Sequence, residues 1–344
     1  MSTMSYTAGV IGAGAVSELH AEAYANTSGI TFEAVAEIDP KTLRSTADDW
    51  NIPKRGRYTD HVSMLSNEDL DVVSVAAPTL FHYQHTLDAA KVGDPAVIWC
   101  EKPIATSVAD AREMTDVCAE TDTELVINHV RRWAEPYLNL KRAVAENGVL
   151  GDIHSVNSQF KIELLRNGTH FVDTLYWLLG ERVVRVGGVL NDRASFDSST
   201  PMIDTGDYGG GGFLVLEDGT FVTLDCTVPR ESFSGWFFFT GSAGRLYFNE
   251  LDRTTTFWSF EDGAHDVAPL TIFDGEWPTW ASVFERVAES IVDLADGTGE
   301  NRCPGAEAVH VQETILALFI SDYTDSTVTL PLDKPLERVA IPSW

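Results

Sequence analysis

Lysine is almost missing from this chain: 7 residues in 344, against 17 arginines. Basic charge as a whole is thin, 24 Lys and Arg facing 52 Asp and Glu, for a formal net charge of −28. A field of that sign repels nucleic acid and anionic membrane surfaces, so neither is expected as a partner. Long apolar runs are missing too, since no segment approaches the ~20 residues that cross a bilayer. The opening MSTMSYTAGVIG carries no basic stretch ahead of an apolar run, so no secretory signal is expected. Cysteine is scarce: Cys100, Cys118, Cys226 and Cys303 are scattered and form no C-x-x-C pair. That argues against a zinc site or a disulfide framework and suits a reducing cytoplasm. No internal repeat is found. The acid is spread along the chain without forming a tail. With lysine so rare, the surface reads as that of a halophilic protein whose self-repulsion is screened by salt; the alternative is an ordinary acidic protein.

What is present is organised in two parts, as the length suggests. Apolar runs at 7–12, 31–37, 71–78, 96–100 and 124–128 read as strands, and 17–26, 81–93 and 107–120 as the helices between them. Continuous apolar strands separated by helices imply a parallel sheet covered on both faces. Past residue 128 the pattern changes. Helices are expected at 135–147 and 169–181 and a strand at 152–162. Strand pairs follow at 211–228, 235–250 and 254–267, broken at Asp-Gly, Ser-Ala-Gly and Asp-Gly. Two helices near 279–295 and 306–320 close the chain. The fold class is α/β plus α+β, divided at 1–128 and 129–344, the second part with an open, mainly antiparallel sheet. An open sheet needs cover, so a homodimer or homotetramer is expected.

The segment GVIGAGAVSELH holds Gly12-x-Gly14-x-x-Ser17 between the first strand and the first helix, the context of the dinucleotide fingerprint. Gly12 allows the tight turn, and Gly14 lets backbone approach a pyrophosphate seated on the helix N-terminus. Ser17 replaces the usual third small residue; Ala13, Ala15 and Val16 complete the cofactor turn. Glu37 closes the second strand where an acid meets the ribose hydroxyls. Asp39 is the alternative for that role, and both could be plain surface charge. Ile38, not Arg, comes next, which favours NAD over NADP. The first part is therefore expected to be a Rossmann domain. Ala77, Pro78 and His82 follow the fourth strand at the same carboxyl edge as cofactor candidates; His82 and His85 are otherwise helix-face histidines, whose spacing suits a metal poorly, and no metal is expected. Lys102 ends the buried run AVIWC beside Glu101, with Pro103 fixing the exit; a plain Glu-Lys surface pair is the alternative, weaker because the dipeptide terminates a buried strand. An ammonium there can donate to a substrate oxygen and stabilise the charge that develops in hydride transfer, and Glu101 can orient it or the cofactor.

Together G-x-G-x-x-S, the acid of the second strand, Ala77-Pro78 with His82, and E-K-P resemble the glucose–fructose oxidoreductase and inositol dehydrogenase family. ENGVLGDIHSV (146–156), NGTHFVDTLYWLLG (167–180) and the stretch 303–332 extend the likeness over nearly the whole chain. The resemblance implies NAD(P)-dependent oxidation or reduction of a secondary alcohol on a sugar, sugar acid or polyol, in which Lys102 and His170 work together. Relatives that cleave glycosides with transient oxidation, and non-catalytic cofactor-bound sensors, are the alternatives. Many members carry Asp four residues before the histidine; here Arg166 stands there, followed by Asn167. With Thr169 as N-cap, the helix dipole and Arg166 would both keep His170 neutral, ready to accept a proton. Arg166 either binds an anionic substrate group or pairs with Glu163 or Asp173. Arg131 and Arg132 either join that anion site or pair with surface acids. Asp173, three residues past His170, either orients substrate or answers the dipole. Trp133, Trp177, Trp236, Trp258, Trp277, Trp280 and Trp344 are core or interface material, one of them a candidate to stack on a sugar.

Overall fold

The computed structural model describes residues 5–191, 196–197, 202–203, 209–229, 235–260, 266–268 and 276–341. The chain forms two compact units: residues up to 133 with the return segment 278–309, and residues 134–277 with the segment from 310 onward.

The first unit alternates β1 (Tyr6–Ile11), α1 (Ser17–Asn26), β2 (Ile30–Ala36), α2 (Pro40–Asp49), β3 (Arg57–Tyr58), α3 (His61–Asn67), β4 (Val72–Val75), α4 (Thr79–Asp88), β5 (Val97–Cys100), α5 (Val108–Glu120) and β6 (Glu124–Ile127). The sheet order is β3-β2-β1-β4-β5-β6, with every neighbouring pair parallel. From β1 the chain steps outward to β3, then restarts at β4 and steps the other way. The order therefore switches between β1 and β4, and a crevice opens there beyond the carboxyl ends of the strands. All of β4 and β5 is buried, as parallel strands covered on both faces must be. The five expected strands are present. Missed were α2, α3 and the two-residue β3. In α2 only Leu43 and Ala47 are buried, too sparse an apolar stripe to announce a helix. Its start is set locally, by Asp39 accepting from the Thr42 amide and Pro40 in the first turn.

The second unit contains α6 (Glu135–Lys141), β7 (Ile153–Lys161), α7 (Thr169–Leu179), β8 (Val183–Leu190), β9 (Phe196–Asp197), β10 (Met202–Ile203), β11 (Gly210–Leu216), β12 (Phe221–Val228), β13 (Trp236–Gly241), β14 (Gly244–Asn249), β15 (Thr254–Ser259) and β16 (Asp266–Ala268). The helix expected over 135–147 turns from α to a π turn at Arg142–Glu146. Next in the chain, α8 (Trp280–Ala295) belongs to the first unit, where Phe284 meets the Trp99 ring at 5.6 Å. After it come α9 (Gly305–Thr324), β17 (Val328–Thr329) and α10 (Lys334–Glu337).

The large sheet runs β16-β15-β14-β13-β7-β12-β11-β8-β17. It is antiparallel except where β7 pairs parallel with β12, so it is a mixed sheet rather than a simple meander. The Asp-Gly turn before β12 has Gly219 at φ +91°; the Asp-Gly after β15 lies outside the described residues. Strand alternation sends Phe237, Phe239, Leu246 and Phe248 to a buried face, on which α7 sets Phe171 against Phe237 at 5.1 Å. Phe238, Tyr247 and Trp258 lie on the other face, half-buried.

Candidate active site

The expected site residues divide between the two units. In the first, the loop after β1 sits at the switch point. Gly12 has φ +97°, and a Cβ added there would meet the Ala76 carbonyl oxygen at 2.9 Å; only glycine lets β1 and β4 end so closely. A Cβ on Gly14 would meet nothing within 4 Å, so the volume beside this backbone is open. No side chain caps α1, although its Ser17 and Leu19 amides already donate to the Gly14 and Val16 oxygens at 3.1 Å. Ala13 and Glu37 are linked directly: the Ala13 amide donates to Glu37 Oε2 and the Asp39 amide to Oε1, both at 2.9 Å. Ala15 and Val16 lead into α1, and Ser17 is buried with Oγ 3.4 Å from the Ala76 oxygen. Asp39 is occupied as the α2 cap, whose Thr42 bonds hold its carboxyl below the usual range. Ile38 is 86% exposed beside Glu37. These features fit a dinucleotide: a glycine-lined opening, a helix start for the pyrophosphate, and a positioned acid for the ribose.

Across the crevice His82 is buried. Its Nδ1 lies 2.8 Å from the Pro103 oxygen and its Nε2 2.8 Å from the Ala77 oxygen. His82 thus lies between the loop after β4 and the loop after β5, and as a neutral imidazole it donates to one of the two oxygens. Burial lowers its pKa against the pull of both carbonyls. Lys102 is half-buried at the end of β5, and Glu101 beside it is buried. Glu101 accepts from His20 Nε2 at 3.1 Å and from Asn128 Nδ2. His20, Ser74, Tyr24 and Asn128 were not foreseen. A signal was there: Ser74 is the one polar residue in the apolar run of β4, and a buried hydroxyl must find a partner. Arg131 is buried with its guanidinium 5.4 Å from the Trp280 ring centre, and Arg132 bonds Glu307 and the Arg302 oxygen. Trp133 is core, donating to Ser290 at 3.0 Å.

In the second unit, Arg166, Asn167, His170 and Asp173 lie on one helical path. That path starts earlier than expected. A π turn at Leu164–Gly168 feeds straight into α7, so Gly168 rather than Thr169 is the N-cap, with no side-chain cap. His170 therefore sits six residues beyond the path's first residue, and the dipole effect, confined to the first turn, does not reach it. Glu163 opens the turn at φ +79°, a left-handed conformation unusual for a side chain of that size. Its backbone oxygen accepts from the Asn167 amide at 2.8 Å. Asn167 Nδ2 is committed locally, to the Ile162 oxygen at 2.7 Å and Glu163 Oε2 at 3.0 Å. Arg166 reaches Glu163 at 3.4 Å and its side chain remains 42% exposed. His170 is half-buried with its ring 6.3 Å from Phe160, and Asp173 is fully buried. Trp177 takes the Lys141 ammonium over its face at 4.6 Å; Trp344 lies outside the described residues.

Among the described residues, no helix is long and apolar enough to cross a membrane. A model of the oxidoreductase family with an NAD-binding Rossmann fold matches residues 6–129. The D-apiose dehydrogenase of Rhizobium rhizogenes is 32% identical over 145 residues, which is 42% of this chain and only 40% of that protein's length. The D-apiose dehydrogenase of Paraburkholderia graminis is 28% identical over 96% of this chain and 90% of its own. Among solved structures, the WlbA dehydrogenase from Bordetella pertussis, in complex with NADH and UDP-GlcNAcA, has a TM-score of 0.82 at 18% identity, covering 97% of this chain and all of that one. That last likeness is one of fold.

Proposed function

We propose that this chain belongs to the oxidoreductase family with an NAD-binding Rossmann fold named for glucose–fructose oxidoreductase and inositol dehydrogenase, and that it is an NAD-dependent dehydrogenase of a secondary alcohol on a sugar, sugar acid or polyol. The observation that carries this is the β1–β4 crevice, where Gly12, the open volume at Gly14 and the tethered Glu37 supply a dinucleotide cradle. Residues 1–128 take the cofactor role, and 129–344 the substrate and assembly roles, except for 129–133 and the return segment 278–309, which pack in the first unit. Glu37 takes the ribose hydroxyls, and the exposed Ile38 offers no charge to a 2′-phosphate, which favours NAD over NADP. Bound NAD supplies the hydride acceptor or donor. Lys102 donates to the substrate oxygen and stabilises the charge that grows on it. His170 accepts or returns the hydroxyl proton. Arg166, at the position where the family resemblance leads one to expect Asp, gives a partly exposed guanidinium suited to a carboxylate or phosphate on the substrate. Asn167, Asp173 and Arg131 position substrate in the same scheme. With a panel of sugars, sugar acids and inositols as substrates, Lys102→Ala should bind NADH normally yet turn over about 100-fold or more slowly. Near-full turnover would remove Lys102 from this role.

A half-buried face of the large sheet supports a reading of self-assembly. Phe238 lies 6.4 Å from Tyr247 and 6.0 Å from Trp258, an aromatic patch that a second copy of this chain would cover. All four cysteines are buried and none is in a disulfide, which suits a reducing cytoplasm. The net charge of −28 suits high salt. One experiment checks assembly and salt together. Light scattering in molar salt should give a dimer or tetramer mass, and dilution into low salt should lower the unfolding temperature. A monomer mass in molar salt, or equal stability in both, counts against the respective part.

A further inference from the structure

Five buried polar side chains, Tyr24, Ser74, His20, Glu101 and Asn128, run in a line beside Lys102, and the reaction scheme above uses none of them. Tyr24 and His20 are one turn apart on the inner face of α1 and meet the same hydroxyl on β4. Tyr24 Oη lies 2.6 Å from Ser74 Oγ, which lies 2.9 Å from His20 Nδ1. His20 Nε2 lies 3.1 Å from Glu101 Oε1, the oxygen that also accepts from Asn128 Nδ2. Packing holds the imidazole in place, with the Trp99 ring at 3.9 Å and the Phe284 ring at 5.3 Å.

The directions of these bonds are determined by what each group can do. A carboxylate only accepts, so His20 Nε2 and Asn128 Nδ2 both donate to Glu101. Burial pushes the Tyr24 phenol pKa well up, so it stays protonated and donates to Ser74. Ser74 can then pass its own hydrogen to His20 Nδ1. Every donor in the line points toward Glu101. A carboxylate in a buried strand end is costly unless it is paired and hydrogen-bonded. Here burial opposes the charge on Glu101, while His20, the Lys102 charge and Asn128 hold its carboxyl below the usual range.

We propose that His20, Ser74 and Tyr24 are positioning residues, a one-way line of donors that keeps the Glu101 carboxylate charged and fixed beside Lys102, so that Lys102 offers a protonated ammonium to the substrate oxygen. This rests on the role given to Lys102 above. The groups that feel the Glu101 charge are His20 on α1, Lys102 and Cys100 on either side of it in the chain, and His82 on α4. Burial lifts the Cys100 thiol pKa and lowers that of His82, so neither competes as a counter-charge near neutral pH.

The test needs no substrate. The infrared carboxylate band of Glu101, isolated as the difference between each protein and its Glu101→Gln partner, is followed against pH in the full chain. His20→Phe keeps the ring packing and removes the donor; it should raise the Glu101 midpoint by about one pH unit or more. Ser74→Ala should raise it less, and Tyr24→Phe less again. His20→Gln retains an N–H for Glu101 and should stay near the wild-type midpoint. Tyr6→Phe removes another buried phenol, one bonded to Asp296 in the same unit, and should lower thermal stability without moving the midpoint. An unmoved midpoint in His20→Phe overturns the proposal, as does an equal shift in Tyr6→Phe. If His20→Phe does not fold, Ser74→Ala decides in the same way. Failure here leaves the Lys102→Ala result standing, and failure of Lys102→Ala leaves this titration intact.

Discussion

The two groups of candidate residues are held in place by opposite means. Around Glu101 and Lys102, side chains from α1, β4 and the ends of β5 and β6 converge through hydrogen bonds between residues 27 to 81 positions apart. Around His170, Arg166 bonds Glu163 and Asn167 bonds Glu163 and the Ile162 oxygen, three to five residues away along one turn. A site knitted from distant segments depends on the whole sheet forming. A site built on one turn depends on the local backbone path, here a π turn opened by a left-handed glutamate. Damage to the first is expected to be large and to couple cofactor binding to folding; damage to the second is expected to be small and confined.

The most severe break falls at the switch point. Gly12→Ala puts a methyl 2.9 Å from the Ala76 oxygen at φ +97°, a conformation costing an L residue about 1–2 kcal/mol. The clash with the end of β4 adds to that. Both thermal stability and NADH affinity should fall, the latter tenfold or more, about 1.4 kcal/mol per factor of ten. Gly14→Ala is the informative partner. Its methyl meets no protein atom within 4 Å, so stability should hold while NADH affinity drops, because the methyl enters the volume assigned to the dinucleotide. Fluorescence titration with NADH alongside thermal melts separates the two. Unchanged affinity in Gly14→Ala would break the assignment of that opening.

The same contrast explains what could be read from the sequence. Buried parallel strands announce themselves by continuous apolar runs, and the glycine turn, Glu37 and Lys102 fall at strand ends, so fold class and the cofactor crevice were legible from β1, β2, β4 and β5. Polar α2 and the short β3 lacked that signal. So did the return of α8, whose amphipathic stripe says that it packs but not on what. His20 and Tyr24 stand one turn apart on α1, but nothing local says that their common partner is a serine fifty residues on. The parallel β7–β12 pair was invisible for the same reason: the sequence marks hairpins, not the strand that slots between them. At His170 the helix was legible from its apolar stripe. The π turn was not, because Leu-Leu-Arg-Asn-Gly gives no sign of which carbonyl each amide will choose.

The mildest change probes that turn directly. Glu163 holds φ +79° while its carboxylate bonds Asn167 at 3.0 Å and reaches Arg166 at 3.4 Å. Replacing it tests backbone and side chain separately. Glu163→Ala and Glu163→Gly both remove the carboxylate, so the difference between them reports only the backbone. At a positive φ, alanine retains the steric penalty and glycine does not. Away from such positions glycine would be the less stable of the two, because it loses more chain entropy on folding. The order of the variants therefore inverts the usual one. Glu163→Gly should be more stable than Glu163→Ala by about 1 kcal/mol, roughly 2–4 °C in Tm for a unit of this size. Differential scanning calorimetry under identical salt checks it. If alanine proves the more stable, the left-handed opening of the π turn is wrong, and the two regions are held in place less differently than the comparison holds.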